Sequence, residues 1–248
     1  MQSTFSGCSS LMEAPEIPIG VTNMLNTFQF CSSLIQVPDI PIGVTNMQGT
    51  FYGCSNLTEA PVIPEGVMNM YGTFYGCTSL TESPVIPVGV TNMRSTFYGC
   101  SSLTEAPVIP NSVTNLESAF RKCTSLTEDP VILEGVTNMY GTFQFCYKLI
   151  TVPVIPNSVT NMGWTFEGCT SLTTVAAIPE NVTNMTYTFY NCQSLKGDLV
   201  INATPASYGN CLYSVATRGN TLYLSGSSTI LDKILATKPS NSNIVLSP

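Results

Sequence analysis

Phe74-Tyr75-Gly76-Cys77-Thr78-Ser79-Leu80-Thr81-Glu82-Ser83-Pro84-Val85-Ile86-Pro87 returns 23 residues later as Phe97-Tyr98-Gly99-Cys100-Ser101-Ser102-Leu103-Thr104-Glu105-Ala106-Pro107-Val108-Ile109-Pro110. Working outward from this pair, rows of 23 begin at Met1, Met24, Met47, Met70, Met93, Leu116, Met139 and Met162. A ninth row begins at Met185 and runs into different sequence after Leu195. One column is Phe in every row, from Phe5 to Phe189. Cys stands three residues on, from Cys8 to Cys192, and Leu three after that, from Leu11 to Leu195. An Ile column runs from Ile17 to Ile178 and a Val column from Val21 to Val182, with no insertion or deletion between rows. Such identity at one period means that each unit packs on a copy of itself. The expected architecture is therefore a solenoid, not the one or two globular domains that 248 residues would otherwise suggest.

Each unit divides into two halves. Asn closes each row, from Asn23 to Asn184, and is followed by Met-x-x-x-Phe-x-x-Cys. Apolar residues at i, i+4 and i+7 form one face of a short helix, with Asn as its N-cap. Gly7, Gly53, Gly76, Gly99 and Gly168 precede the Cys, where a left-handed residue would end that helix. Phe30, Lys122 and Phe145 break this column, so the stop does not require glycine in every unit. The second half, as in Leu57 to Pro64, is short, β-branched and bounded by prolines, which reads as a strand of a few residues. Pro18-Ile19-Gly20 then suits a type I turn with Pro at its second position. The predicted fold is an α/β solenoid with short parallel strands on one face and short helices on the other.

The sequence after Leu195 looks unrelated but keeps the strand beat. Ala176-x-Ile178 continues at Leu199-x-Ile201, then 23 residues on at Leu222-x-Leu224, then 22 on at Ile244-x-Leu246. Ile230, Leu231, Ile234 and Leu235 within Ser228–Thr237 have helical spacing. Residues 1–195 are therefore expected to form the repeat solenoid, and 196–248 degenerate coils that cap it, since terminal repeats are atypical.

The pattern Phe-x-Gly-Cys-x-Ser-Leu-Thr-x-x-Pro-x-Ile-Pro, carried by Phe74–Pro87 and Phe97–Pro110, resembles the BspA-like leucine-rich repeats of bacterial surface proteins. The resemblance covers residues 1 to about 195. It implies a right-handed leucine-rich-repeat superhelix, a surface-exposed adhesion or host-interaction role, and no catalytic residues. The family's more familiar form has one residue fewer between the Leu and the Ile-Pro. Neither a secretory leader nor an anchoring tail is legible, so an extracellular or cell-surface location rests on the resemblance.

Composition narrows the function classes. Net charge is −7 with 8 basic residues, which argues against nucleic-acid and anionic-membrane partners. No run of about 18 apolar residues suggests membrane insertion. Histidine is absent, and with it the common general base. Neither a phosphate-binding glycine loop nor a Cys-x-x-Cys pair occurs, and Asp198 and Asp232 are isolated. The chain is expected not to be an enzyme and to need no cofactor or structural metal.

Several columns invite a chemical reading. The Cys ladder gives thiols in a line rather than converging on an ion, and is expected to be buried, reduced filler; Cys211 lies off it. Glu59, Glu82, Glu105 and Glu128, with Glu13 in the first row, form an acidic line. That line could meet a cationic partner or a divalent cation such as calcium, or be a solvated copy of one exposed residue. Val62, Val85, Val108 and Val131, continued by Val154, precede the core Ile and should point outward as an apolar strip. Tyr52, Tyr75 and Tyr98 form a third column, suited to binding or to stacking along the side of the solenoid. The leading expectation is a non-catalytic module that binds a protein or glycan, host-derived ligands included, through its strand face. The main alternative is a structural spacer or a phage or cell-surface fibre segment.

Overall fold

Alternate backbone N–H groups of the Asn-Met-x-x-x-Phe-x-x-Cys segment find their acceptors in the next coil. The computed structural model describes residues 1–174, 176–217, 219–236 and 242–247. In coil two, the N–H groups of Met24, Asn26, Phe28 and Phe30 donate to the carbonyls of Asn46, Gln48, Thr50 and Tyr52 at 2.9, 2.9, 2.9 and 2.6 Å. The intervening Thr27, Gln29 and Cys31 donate to carbonyls three residues back, at 3.1, 3.2 and 3.1 Å. The segment is thus a run of tight turns whose spare donors point along the solenoid axis.

This corrects the expectation of short helices. Among the described residues the repeats contain no α-helix. The physical reason is a left-handed residue at the third and seventh place of each coil: Asn26 and Phe30 at φ 52° and 58°, Gly49 and Gly53 at 59° and 74°, Ser118 and Lys122 at 56° and 63°. One such residue every four is incompatible with a continuous α-helix. Glycine eases the seventh place, but Phe30, Lys122 and Phe145 adopt the same conformation. The coil-to-coil hydrogen bonds therefore impose it.

Asn is correspondingly not a helix cap. In Asn46 the side-chain oxygen accepts the N–H of Gln48 at 3.0 Å, an Asx turn, while its amide donates to the side-chain oxygen of Asn23 at 3.3 Å. The same ladder continues at Asn69, Asn92, Asn138 and Asn184. Thr occupies the fourth place of most coils. The Thr50 hydroxyl lies 2.9 Å from the Met24 carbonyl and 2.8 Å from that of Met47, bridging two coils.

The proline-bearing half is extended but barely laddered. Isolated parallel bridges occur at Ile109↔Ile132 and Ile178↔Ile201, and among the described residues nothing comparable joins the other Ile residues of that column. The bridges fall where the residue after the next coil's Ile is Leu133 or Asn202 instead of proline. Leu133 N–H donates to Ile109 at 3.3 Å and Asn202 N–H to Ile178 at 3.0 Å. Proline has no N–H to give, so the other coils cannot close the bridge. The strand expectation is correct in direction and too generous in extent. The turn after the Ile also differs from expectation: Val21 N–H bonds the Pro18 carbonyl at 2.9 Å, which makes Pro18 the first residue of the turn, not the second.

Beyond residue 196 prolines disappear from these places and a three-stranded parallel sheet forms from β1 (Gly197–Ile201), β2 (Leu222–Gly226) and β3 (Ile244–Leu246), in that order. Helix α1 (Ser228–Ala236) lies between β2 and β3 and buries Ile230, Leu231 and Ile234; Thr237, the last residue of the expected helical segment, lies outside the described residues. The register is not the expected 23: Leu199 pairs with Leu224 and Gly197 with Leu222. The turn half of coil ten still keeps step, with Phe189 N–H bonding the Cys211 carbonyl at 2.9 Å and Asn191 that of Tyr213 at 2.8 Å. The two added residues therefore enter between Thr217 and Leu222. The pairing of β2 with β3 does follow the 22-residue step, as Leu224↔Leu246.

The Met, Phe, Cys, Leu, Ile and Val columns form one continuous core. Consecutive Phe rings stack nearly parallel, from Phe5 to Phe189, with centroids 5.4–5.8 Å apart. That separation exceeds the coil spacing of about 4.8 Å, so the rings are offset, the arrangement that aromatic quadrupoles favour.

Candidate interaction surface

Proline sets the outward face. With prolines flanking the Val-Ile pair, Ile turns into the core and Val turns out. Val62, Val85 and Val154 are 83%, 86% and 80% exposed, and Val108 and Val131 are 59% each. Val62 and Val85 line a shallow cleft of about 190 Å³ with Pro61, Pro84 and Glu65. A second column also exposes apolar side chains, though coils one and two carry Glu16 and Asp39 at the Val place. Ile19, Ile42 and Val88, three places further along their coils, are 85%, 82% and 73% exposed at the tips of the following turns. Their 23-residue spacing was legible, but that column also holds Glu65, Asn111 and Glu134, which masked it.

Glu13, Glu59, Glu82, Glu105 and Glu128 are all exposed, just upstream of the Val column in each coil. Glu59 lines a cleft with Ile35, Val37 and Pro61. Among the described residues no three acidic or thiol ligands gather around one point. The carboxylates follow the coil axis instead of surrounding a centre, a layout suited to an extended basic partner more than to a cation.

The tyrosine column sits on the opposite half of the coil, on the turn segment, so the structure does not bring it together with the Val and Glu columns. Tyr52, Tyr75 and Tyr98 stack at 4.2 and 4.4 Å, closed at one end by the edge of Phe30 and at the other by Arg121, 5.6 Å above the Tyr98 ring. Burial and the flanking Tyr52 and Tyr98 push the Tyr75 phenol up to about 12. The column continues as Arg121, Gln144 and Glu167. Gln144 donates to the Glu167 carboxylate. Burial raises the Glu167 carboxyl, and the Gln144 bond and the Arg121 charge oppose that shift. Sequence reasoning missed this polar run because its residue types change from coil to coil, although the 23-residue offset holds them in one column.

The thiols are free, and all but Cys8 are buried. Each ladder thiol from Cys31 onward donates to the Phe carbonyl of the preceding coil, as Cys54 does to Phe28 at 3.1 Å. In the repeats the thiol thus serves as a small donor as well as apolar bulk, a bond that Ala could not make. Burial, reinforced by the neighbouring thiol, pushes Cys54 up to about 12 and raises Cys77, Cys100, Cys123 and Cys146 well above the ordinary thiol value. These are inert thiols. Cys211 fills the Thr place of coil ten and is likewise pushed up to about 12, chiefly by burial.

The chain matches the sequence profile of the BspA type Leucine rich repeat region family in six copies, over residues 1–94, 48–165, 93–214 and 138–240. No curated protein matches it. Among solved structures, the pneumococcal vaccine antigen PcpA is similar at 14% identity and TM-score 0.54, over 96% of this chain and 68% of that one. A leucine-rich repeat protein from Eubacterium ventriosum is similar at 20% identity and TM-score 0.53, over 82% of this chain and 65% of that one. A T. pallidum leucine-rich repeat protein shares 26% identity over 60% of this chain and 69% of that one, at TM-score 0.49. At the identities of the first two, the likeness supports the repeat fold alone.

Proposed function

We propose, for a chain that belongs to the BspA type leucine-rich repeat family, a non-catalytic interaction module, secreted or held at a cell surface, that binds a protein through its proline-bearing side. The observation that carries this reading is the outward Val strip, with Val62, Val85 and Val154 at least 80% exposed. Contiguous apolar surface of this kind marks contact sites. The adjacent line of Glu59, Glu82, Glu105 and Glu128 would steer and orient a basic partner more than hold it. A solenoid suits the task because it presents equivalent side chains in a row. The surface location rests on the family resemblance; among the described residues no helix is long and apolar enough to cross a membrane. The coils are read as right-handed, the hand that connections between parallel strands adopt, and residues 196–248 as the closing end of the stack.

The test is an array of extracellular-matrix proteins and glycans probed with the wild-type chain and with Val62→Lys/Val85→Lys/Val108→Lys. Binding that is lost in the variant, while Glu82→Lys/Glu105→Lys mainly slows association, supports the reading. Protein ligands that bind the triple Lys variant as well as the wild type overturn it. Absence of any ligand favours the spacer instead.

A further inference from the structure

We propose that the turn side of coils two to five carries a second site, for a short neutral oligosaccharide. A groove of about 220 Å³ runs there between two columns of side chains. Its walls are three amides, Asn26, Gln29 and Gln48, and three phenols, Tyr52, Tyr71 and Tyr75. Its floor is opened by Gly72, where other coils place Ser118, Trp164 or Tyr187, while the Asn26 amide fills the space that a side chain at Gly49 would take.

The chemistry of the lining selects the ligand. Four other clefts among the described residues each include a carboxylate: Glu59, Asp232, Glu65 or Glu134. This groove has none, in a chain of net charge −7. The cation beside it, Arg94, is engaged: it lies 5.6 Å over the Tyr71 ring and pairs with Glu117 at 3.1 Å. A charged ligand would find no counter-charge. A purely apolar one would leave amides unpaired, at the cost of their desolvation. An added peptide strand is excluded because the floor's backbone donors are used: Asn26, Gly49 and Gly72 N–H bond Gln48, Tyr71 and Arg94 carbonyls at 2.9, 2.8 and 3.0 Å. A neutral sugar meets the remaining requirements. Each amide offers a donor and an acceptor to vicinal hydroxyls, and phenol rings offer apolar surface with a polar tip to the C–H bonds of a pyranose.

The site is also held in place before any ligand arrives. Tyr75 is fixed between Tyr52 and Tyr98, and the Gln48 oxygen accepts from the Asn69 amide at 3.2 Å. Side chains already ordered lose little freedom on binding. Tyr71 is the freer wall, at 37% exposed.

Two variants test the site with little risk to the fold. Gly72→Asn fills the floor. Gly72 has φ 60°, Asn26 already holds the same place at φ 52°, and a Cβ at Gly72 would meet only Tyr52 and Tyr75 at 3.7 and 4.0 Å. Tyr71→Ala removes a wall at a place where other coils carry Leu25, Arg94 or Gly163. Gly141→Asn is the control, the same place in coil seven and outside the groove. Maltotriose, cellotriose, mannotriose and tri-N-acetylglucosamine, with trigalacturonate as the charged comparison, would be titrated against the chain by saturation-transfer NMR. The expected result is saturable binding of at least one neutral trisaccharide. Gly72→Asn and Tyr71→Ala should each weaken it tenfold or more, with Gly141→Asn unchanged. The proposal is overturned if none of the neutral trisaccharides saturates, if trigalacturonate binds as well, or if the groove variants bind like the wild type. None of these substitutions touches the Val strip, so the two sites stand or fall separately.

Discussion

Coil five and coil ten use the same turn backbone with different side chains. In coil five Thr96, Phe97 and Cys100 hold places that Cys211, Leu212 and Val215 hold in coil ten, yet the coil-to-coil bonds from Phe74 to Thr96 and from Phe189 to Cys211 are both 2.9 Å. Their other halves diverge. Coil five meets its predecessor without a bridge at Ile86, behind Pro110, whereas coil ten contributes β2 to a laddered sheet. The comparison separates two determinants. Backbone bonding in the turns tolerates exchange of the core residue, while sheet formation depends on whether a proline removes the donor.

The largest expected effect tests what the thiol column adds to the repeats. The folded thiols are raised above their ordinary 9.0, to about 12 for Cys54 and in the same direction for Cys77 and Cys100. A raised thiol favours the protonated fold. Its contribution is therefore fully present below pH 9 and is lost as pH climbs through the folded value. At about 1.4 kcal/mol per pKa unit, Cys54 withdraws a few kcal/mol, and the other raised thiols act in the same direction. The melting temperature should fall steeply between pH 9 and 12, more gently in a Cys77→Ala/Cys100→Ala chain. A flat profile over that range would contradict the buried ladder.

A smaller effect separates the two coils by their aromatic places. Phe97→Ala, deep in the ring stack, should cost ~3–5 kcal/mol in urea unfolding. Phe97→Leu should cost much less, since coil ten already accepts Leu212. Equal losses for both would mean that stacking, not filled volume, dominates. Smallest is the proline exchange. Asn202→Pro deletes the 3.0 Å bond to Ile178 and should cost about 1 kcal/mol, whereas Leu133→Pro, losing a 3.3 Å bond, should cost less. In the opposite direction, Pro87→Ala should create a slowly exchanging amide at residue 87, read by hydrogen exchange. Failure to gain protection there would show that proline is not what breaks the ladder.

Much of this was legible in the residues. Phe5 to Phe189 gave the coil and its interior, and Val62 and Val85 gave the outward strip, because a fixed offset and a period of two are properties of the sequence. The helical segment 228–236 was legible from its own spacing. Less accessible was the width of the apolar strip, since Glu65 and Asn111 interrupt the column of Ile42 and Val88. The turn-side groove was harder still. Its walls come from coils two, three and four, and its floor is defined by the missing side chain of Gly72.

The sequence by itself determined the period, the core columns and the order of the coils. Identical units must superpose, and any shift would misalign Phe, Cys and Leu together. Tertiary structure alone decided what Asn-Met-x-x-x-Phe-x-x-Cys becomes. Read alone, that spacing assigns the segment's N–H groups to a helix. Stacked on a copy of itself, it turns every second N–H toward the neighbouring coil, and left-handed residues such as Phe30 and Lys122 hold the backbone where those bonds require it. The two-residue shift that pairs Leu199 with Leu224 is a decision of the same kind, because register is set by the strand across the ladder and not by counting along the chain.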